Sequence, residues 1–507
     1  MLRKLALIQF KKRRQILDAI NGIWYNVIEL SLRLDGGDSM KDLSNFKLWL
    51  TENKNYSNKV ISNTVSRFKR ADGMLPWFND AMYQYQLEQI DEYQALSTTV
   101  RSQVKKAVKL YSEFVNAQEI QVRTERKNEM KVLSLFANIG VAEAYLKEIG
   151  FDVVVANELI ERRALLYSKI YPETHMICGD ITDKKVFDKI VKESIEAGVN
   201  IIMATPPCQG MSTVGQQLAD DVRNRLVCQV VEAVKEIKPQ YVMIENVPAF
   251  LSTEILVGDK KILIPDLLNE ELGQDYVIHK TVVDTKDYSV PQTRERAIVL
   301  MTKKGQGLEW LVPPKDSVVI TMRDAIGDLP RLDPFITDVD EKELLEIVPH
   351  YYERAKQAEQ ISKWHIPPHH IKRQVVVMQH TPSGQTAFDN EVYYPIKADG
   401  KPVKGFRNTY KRQNWDAPAY TVTMDNRKIS SQNNVHPGVL EYVDKNGEDI
   451  YSDARALTLY ELMKIMSIPD SWPVPEDTSE AFLRRIIGEG IPPLFVKKVF
   501  ENLKQEC

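Results

Sequence analysis

The apolar positions of the chain change period once, and that change divides it. From Ile16 to Leu34 they recur at helical spacing (Ile16, Ile20, Trp24, Val27, Leu30) and stop at the turn cluster Asp35-Gly36-Gly37-Asp38. The same spacing predicts further helices near 40–53, 57–70, 77–94 and 96–117. After the charged run Arg123-Thr124-Glu125-Arg126-Lys127, short unbroken apolar runs alternate with amphipathic stretches, the pattern of a parallel sheet wound with helices. Val132 to Phe136 reads as a strand, Ala137-Asn138-Ile139-Gly140 as a tight turn, Val141 to Ile149 as a helix capped by Gly150, and Phe151 to Ala156 as a second strand. Val199 to Met203, Tyr241 to Ile244 and Ala297 to Met301 read as further buried strands, with a crossover helix from Arg223 to Ile237. The expected class is a doubly wound α/β domain behind an all-α N-terminal domain.

Composition narrows this little. The 507 residues are 43% apolar and 27% charged, as in ordinary soluble proteins, and allow roughly three domains. Four cysteines, Cys178, Cys208, Cys228 and Cys507, lack the paired spacing of a zinc site or a disulfide framework and point to a reducing cytoplasm. Lys11-Lys12-Arg13-Arg14 stands where a signal peptide would continue its apolar core, and no apolar run reaches the about 18 residues of a membrane span. A protein neither exported nor membrane-spanning is expected. The net charge is -3, but residues 1–125 carry 19 Lys and Arg against 14 Asp and Glu, an excess of five that leaves the remainder at -8.

The candidate chemistry sits at strand ends, where an open α/β sheet binds its ligands. The strand ending at Met203 runs into Ala204-Thr205-Pro206-Pro207-Cys208-Gln209-Gly210-Met211-Ser212, so a thiol is presented on a loop stiffened by two prolines. Tyr241 to Ile244 leads into Glu245-Asn246-Val247-Pro248, and one crossover would bring Glu245 to the same edge as Cys208. The first turn lacks the full G-x-G-x-x-G that lets backbone amides approach a pyrophosphate, which favours a cofactor without phosphates, such as S-adenosylmethionine. Glu158, at the end of the second strand, is placed to accept from ribose hydroxyls, and Asp180, in Gly179-Asp180-Ile181 at the end of a third, to hold an adenine amino group.

With Ser289-Val290-Pro291-Gln292-Thr293-Arg294-Glu295-Arg296 and the late Ile487-Gly488-Glu489-Gly490-Ile491-Pro492-Pro493 in order behind these, the chain resembles the cytosine-5 DNA methyltransferase family over 131 to about 302 and 405 to 507. The family's P-C-Q corresponds to Pro207-Cys208-Gln209, its E-N-V to Glu245-Asn246-Val247, its Q-x-R-x-R to Gln292 through Arg296, and its F-A-G-x-G turn to Phe136-Ala137-Asn138-Ile139-Gly140. Asn138 replaces a usual glycine, which asparagine manages because it tolerates a left-handed backbone; Glu489 stands where the late motif usually has asparagine. The resemblance implies a Rossmann-like, S-adenosylmethionine-dependent domain (126–302 and 406–507) interrupted by a target-recognition domain (303–405). It assigns Cys208 as nucleophile, with Glu245, Arg294 and Arg296 beside it. Phe136, Ala137, Asn138, Ile139, Gly140, Glu158, Leu159, Asp180, Ile181, Pro207, Glu489 and Gly490 would line the cofactor, and Gln209 and Ser212 would meet DNA.

Between Gly400 and Trp415, Lys401, Lys404, Arg407, Lys411 and Arg412 alternate with Phe406, Tyr410 and Trp415 without an acid, a strip expected to face phosphates. Trp364-His365-Ile366-Pro367-Pro368-His369-His370 lacks a cysteine or acid at ligand spacing, and no metal is expected. Residues 1–125 include an order of residues around Phe46-Lys47-Leu48-Trp49-Leu50 and Val65-Ser66-Arg67-Phe68-Lys69-Arg70 that is similar to the core-binding domain of integrase-type recombinases. There Lys11 to Arg14, Arg67, Lys69 and Arg70 would grip phosphates. Double-stranded DNA is the expected partner, with a cognate restriction endonuclease acting separately and a monomeric enzyme. The two rival readings are a tRNA cytosine methyltransferase, which the long insert disfavours, and a DNA-binding regulator on an inactive fold, which intact Cys208, Glu245 and Arg296 disfavour.

Overall fold

A computed structural model describes residues 43–54, 56–77, 83–127, 130–207, 225–306 and 309–505. The chain separates into two units, Met1–Val122 and Arg123–Cys507. In the first, the helical period is realised as α1 (Leu43–Lys54), α2 (Asn58–Met74), α3 (Tyr83–Glu88), α4 (Asp91–Gln94) and α5 (Thr98–Lys127). The expected helix over 16–34 and the basic run Lys11 to Arg14 lie outside the described residues. Aromatic packing holds these helices together: the rings of Phe68 and Tyr111 stack with centroids 3.8 Å apart, and Phe46 meets Tyr111 edge-on at 5.0 Å.

The second unit is built on strands β1 (Lys131–Leu135), β2 (Asp152–Glu158), β3 (His175–Cys178), β4 (Ile201–Ala204) and β5 (Tyr241–Asn246), then the hairpin β6 (Glu254–Val257) and β7 (Lys260–Leu263), then β8 (Tyr276–Asp284) and β9 (Glu295–Lys303). Seven of them form one sheet in the order β3-β2-β1-β4-β5-β9-β8. The first five run parallel, while β9 lies antiparallel to β5 and β8 antiparallel to β9. Every residue of β4 and β5 is buried, which is why their sequences are continuous apolar runs rather than alternating ones. The crossovers are α6 (Glu161–Ile170), α7 (Lys184–Ala197) and α8 (Leu226–Ile237), with α9 (Ile264–Leu272) leading into β8. Asp183 caps α7 by accepting from the amides of Lys185 and Val186, and Gly198 ends it in a left-handed conformation.

Val141 to Gly150 departs from the expected helix. It is a succession of tight turns, with Ala144 N bonded to Val141 O, Leu146 N to Glu143 O and Gly150 N to Lys147 O. The carbonyl that a first helical bond would use, Gly140 O, is taken by the Tyr171 hydroxyl at 2.5 Å, and the Glu143 side chain is drawn onto Ser134 Oγ at 2.6 Å. Three of the segment's bonds span three residues and one, Ile149 N to Tyr145 O at 3.2 Å, spans four, so no continuous helix forms.

Glu143 is enclosed, and its Oε2 has no hydrogen-bond partner among the described residues. Burial raises its carboxyl to about 7 against the opposing bond from Ser134, above an ordinary value of 4.5. Between those values the folded chain holds a proton that the unfolded chain has released, so stability falls as pH rises through the window. Glu143→Gln is therefore expected to flatten the decline between pH 5 and 8 and to raise stability at pH 8 by up to about 3 kcal/mol. Thermal unfolding of both proteins at the two pH values checks this.

Beyond β9 come α10 (Met322–Ile326), β10 (Phe335–Ile336), α11 (Glu341–Ile347), α12 (Tyr351–Ile361), β11 (His369–His370), α13 (Lys372–Gln379) and the hairpin β12 (Leu440–Val443) and β13 (Asp449–Tyr451). Their core gathers Ile336, Val375, Met378, Ala387, Tyr410, Ile429, Val435 and Ala454. A boundary at 405 would cut through this cluster, which runs on to Ala454. The chain then returns through α14 (Leu459–Ile465), α15 (Glu480–Glu489) and α16 (Pro493–Gln505). Helix α16 packs beside β1 and the turns that lead into β2, where Phe500 meets Phe151 edge-on at 4.9 Å. The return is fixed by Arg455, fully buried, whose guanidinium donates to Asp453 Oδ1, to both oxygens of Glu461 and to Leu332 O, each at 2.8 Å. His365 and His370 belong to this structural layer. His365 Nδ1 lies 2.9 Å from Thr458 Oγ1 and His370 Nε2 accepts from Ala456 N, while burial lowers the His370 imidazole to about 3 and keeps it neutral.

Candidate active site

The carboxyl ends of β1, β4 and β5 share one sheet edge with the start of the antiparallel β9, and three loops are tied together there. After β4, Thr205 donates from its amide to Leu135 O and from its hydroxyl to Phe136 O, at 3.2 and 3.1 Å, which fixes the loop to the end of β1. From β5, buried Asn246 donates through Nδ2 to Pro206 O at 2.9 Å. Glu245, the residue before it, accepts at Oε1 from Arg296 Nε at 2.7 Å, and about a tenth of each side chain is exposed. Pro206 is thus tied to the strand that carries Glu245. Cys208, Gln209 and Ser212 lie outside the described residues. The tie made by Asn246 was not foreseen as a site contact, although it stands inside the Glu-Asn-Val run.

The turn after β1 has three left-handed residues, Phe136 (φ 60), Asn138 (φ 53) and Gly140 (φ 82). Asn138 adopts the conformation expected of it in place of glycine. Gly140 has no substitute, since a Cβ there would come within 2.1 Å of the Tyr171 ring. Tyr171 in turn accepts from Trp472 Nε1 at 3.0 Å, so the C-terminal segment braces the turn from behind. Glu158, ending β2, accepts from Asn138 N and Ile160 N, both at 2.9 Å, and is nearly buried. Leu159 beside it is 62% exposed, an apolar side chain left uncovered at the ligand edge. Asp180 follows β3 on the surface, bonded to the amide and hydroxyl of Thr182, with Ile181 buried behind it.

Asn138 and Glu489, the two departures from the resembled pattern, touch one another. Asn138 Nδ2 donates to Glu489 Oε2 at 3.3 Å, and Arg163 of α6 pairs with the same carboxylate at 2.9 Å. A glutamate here is neutralised by a cation from a third element, and nothing in the sequence around Arg163 pointed to that. Asn138 Oδ1 is buried without a hydrogen-bond partner among the described residues, an acceptor facing no protein donor beside Glu158. A carboxylate at a strand end, a left-handed turn, an unused buried acceptor and an exposed leucine fit an adenosyl amino acid, and none of them demands a phosphate.

Two predicted site residues are corrected. Arg294 is buried and donates to Val422 O, Gly488 O and Glu489 O, so it binds the late loop to β9 instead of facing a substrate. Gly488 is required for that seam, since a Cβ would lie 2.3 Å from Thr423 O. Arg412 is fully buried and bonded to the carbonyls of Met378, His436, Ser452 and Asp453, which removes it from any phosphate strip. Of its neighbours, Arg407 pairs with Asp389, Lys401 with Asp399 at 3.5 Å, and Lys411 Nζ donates to Tyr420 OH at 2.9 Å. Tyr410 and Trp415 are buried, while Phe406 is 78% exposed.

A family model of the C-5 cytosine-specific DNA methylases matches residues 130–505. The chain belongs to that family. The methylase is 40% identical over 385 residues to the Type II methyltransferase M1.HgaI of Avibacterium volantium, a match covering 75% of this chain and 99% of that protein. It is 24% identical over 457 residues to the Type II methyltransferase M.AgeI of Thalassovita gelatinovora, covering 74% and 99%. In fold it is similar to the crystal structure of a DNA modification methyltransferase encoded within an Escherichia coli prophage, with TM-score 0.51 and 18% identity over 74% of this chain and 99% of that one. The methylase transfers a methyl group from S-adenosylmethionine to carbon 5 of cytosine in double-stranded DNA. Among the described residues no helix is long and apolar enough to cross a membrane.

Proposed function

We propose that Cys208, Glu245 and Arg296 carry the chemistry. The observation that supports this most is the Glu245–Arg296 pair, 2.7 Å across between β5 and β9, where Asn246 of β5 is bonded to the loop leading into Cys208. Carbon 5 of cytosine is a poor nucleophile. Addition of the Cys208 thiolate to carbon 6 makes carbon 5 enamine-like and moves electron density toward N3. Glu245, after taking up a proton, donates it or a hydrogen bond to N3 and recovers it when the thiolate leaves, and Arg296 holds O2 and favours the thiolate through its charge. S-adenosylmethionine, when bound, supplies an electrophilic methyl group. Loss of the carbon-5 proton to a base, in this reading water, then expels the thiolate. Because carbon 6 is covered in a duplex, the base is flipped out first, at a cost of a few kcal/mol.

Glu158, Asn138, Leu159 and Asp180 are assigned to the cofactor. Glu158→Ala is expected to raise the S-adenosylmethionine dissociation constant about tenfold or more, since hydrogen bonds to a charged acceptor are worth roughly 1.5–3 kcal/mol each. Unchanged affinity by calorimetry would displace Glu158 from that role. The lobe from 303, extended to about 454 to include its whole core, is assigned to target reading. We read it as a monomeric cytoplasmic enzyme that protects DNA from a separately acting endonuclease, and the Type II names of the relatives support the last of these. Labelled S-adenosylmethionine incubated with duplex DNA or tRNA tests the reading: label must enter DNA, and label confined to tRNA would overturn it.

A further inference from the structure

The family model begins at residue 130, so the first unit lies outside the family match. That unit carries one helix with an unusual outer face. In α2, Ile61, Thr64, Val65, Phe68 and Ala71 are buried. Opposite them, Lys59, Asn63, Ser66 and Arg70 form one exposed row, flanked by Ser62 and Lys69. No acid occurs from Asn58 to Ala71, and Asp72, past the row, accepts from the Trp77 amide.

A solvated helix face on this same chain looks different. On α7, Lys184, Lys189 and Lys192 each pair with an acid four residues on. Within the first unit, Lys54 pairs with Glu113 and Lys105 with Glu88. Lys59, Lys69 and Arg70 have no ion-pair partner among the described residues. The small polar positions are also poor choices for helix stability, because Ser and Asn rank below Ala, Glu or Lys on an exposed face. A row of cations and short hydrogen-bonding side chains without a carboxylate complements a phosphate backbone.

We propose that this face of α2 is a second DNA-binding surface, gripping the phosphates of the duplex that the catalytic unit methylates. The proposal rests on the enzyme acting on duplex DNA, a polyanion that the tethered unit meets at high effective concentration. Relative to the residues singled out in the sequence, Lys59 joins the surface and Arg67 falls at its half-buried flank.

The test is a Lys59→Ala/Lys69→Ala/Arg70→Ala variant of the full chain, with Lys59→Gln/Lys69→Gln/Arg70→Gln as a second version, both at exposed positions. Affinity for duplex DNA is measured over about 50–200 mM salt. Each phosphate contact contributes about 0.9 to the slope of log affinity against log salt, so three should lower it by roughly 2–3, with at least about tenfold weaker binding at low salt. Methylation at saturating DNA should stay within about twofold. An unchanged slope in a folded variant overturns the proposal and leaves the face to a protein partner. Loss of methylation at saturating DNA overturns it too, by placing α2 in catalysis. Wild-type protein that methylates no DNA would count against the function reading instead.

Discussion

Cys208→Ser is expected to abolish methyl transfer while leaving DNA and cofactor affinity within a few-fold of wild type. A serine hydroxyl is not ionised near neutral pH and is far less nucleophilic than a thiolate, so addition to carbon 6 fails. Docking should survive because the surrounding ties do not involve the thiol: Asn246 still holds Pro206 and Thr205 still holds the end of β1. Turnover of even a few per cent of wild type, measured with labelled S-adenosylmethionine, would remove Cys208 from the role of nucleophile.

Glu245→Gln should lower kcat by about 10²–10⁴-fold, the range of a positioned acid–base group, with little change in DNA affinity. Glutamine can offer N3 a hydrogen bond but no proton, and it loses the charge facing Arg296 Nε at 2.7 Å. The loss should therefore appear in kcat more than in KM. Single-turnover kinetics within about threefold of wild type would show that the carboxyl is not used as an acid.

The parts of this account that were legible in the sequence are those fixed by strand ends. A buried parallel strand must read as a continuous apolar run, so β4 and β5 announced themselves, and whatever follows them falls on one edge. The end of β4 and Glu245 could be brought to one edge on that basis, since β5 and the crossover were both visible, whereas Arg296 was placed beside them only by the family resemblance. The local geometry of Val141–Gly150 could not be read, because its turns depend on Tyr171 taking Gly140 O and on Ser134 taking Glu143. The two misassigned arginines failed for a related reason. Whether a guanidinium faces phosphate or is buried depends on carbonyls converging on it, and those around Arg412 come from Met378, His436, Ser452 and Asp453. Likewise, the contact of Asn138 with Glu489 and of Glu489 with Arg163 joins three distant stretches, so two departures that looked independent in sequence form one arrangement.

The central claim is a covalent bond between Cys208 and carbon 6 of the target cytosine. The direct measurement uses a duplex carrying 5-fluorocytosine at the methylated position, that position having been mapped by bisulfite sequencing of an expressing host. Fluorine at carbon 5 cannot leave as a proton does, so the methylated adduct cannot eliminate the thiolate. The account predicts a complex that survives denaturing electrophoresis, requires S-adenosylmethionine to accumulate, and maps by peptide mass to Cys208. Active enzyme that forms no such complex, or one attached elsewhere, would contradict it.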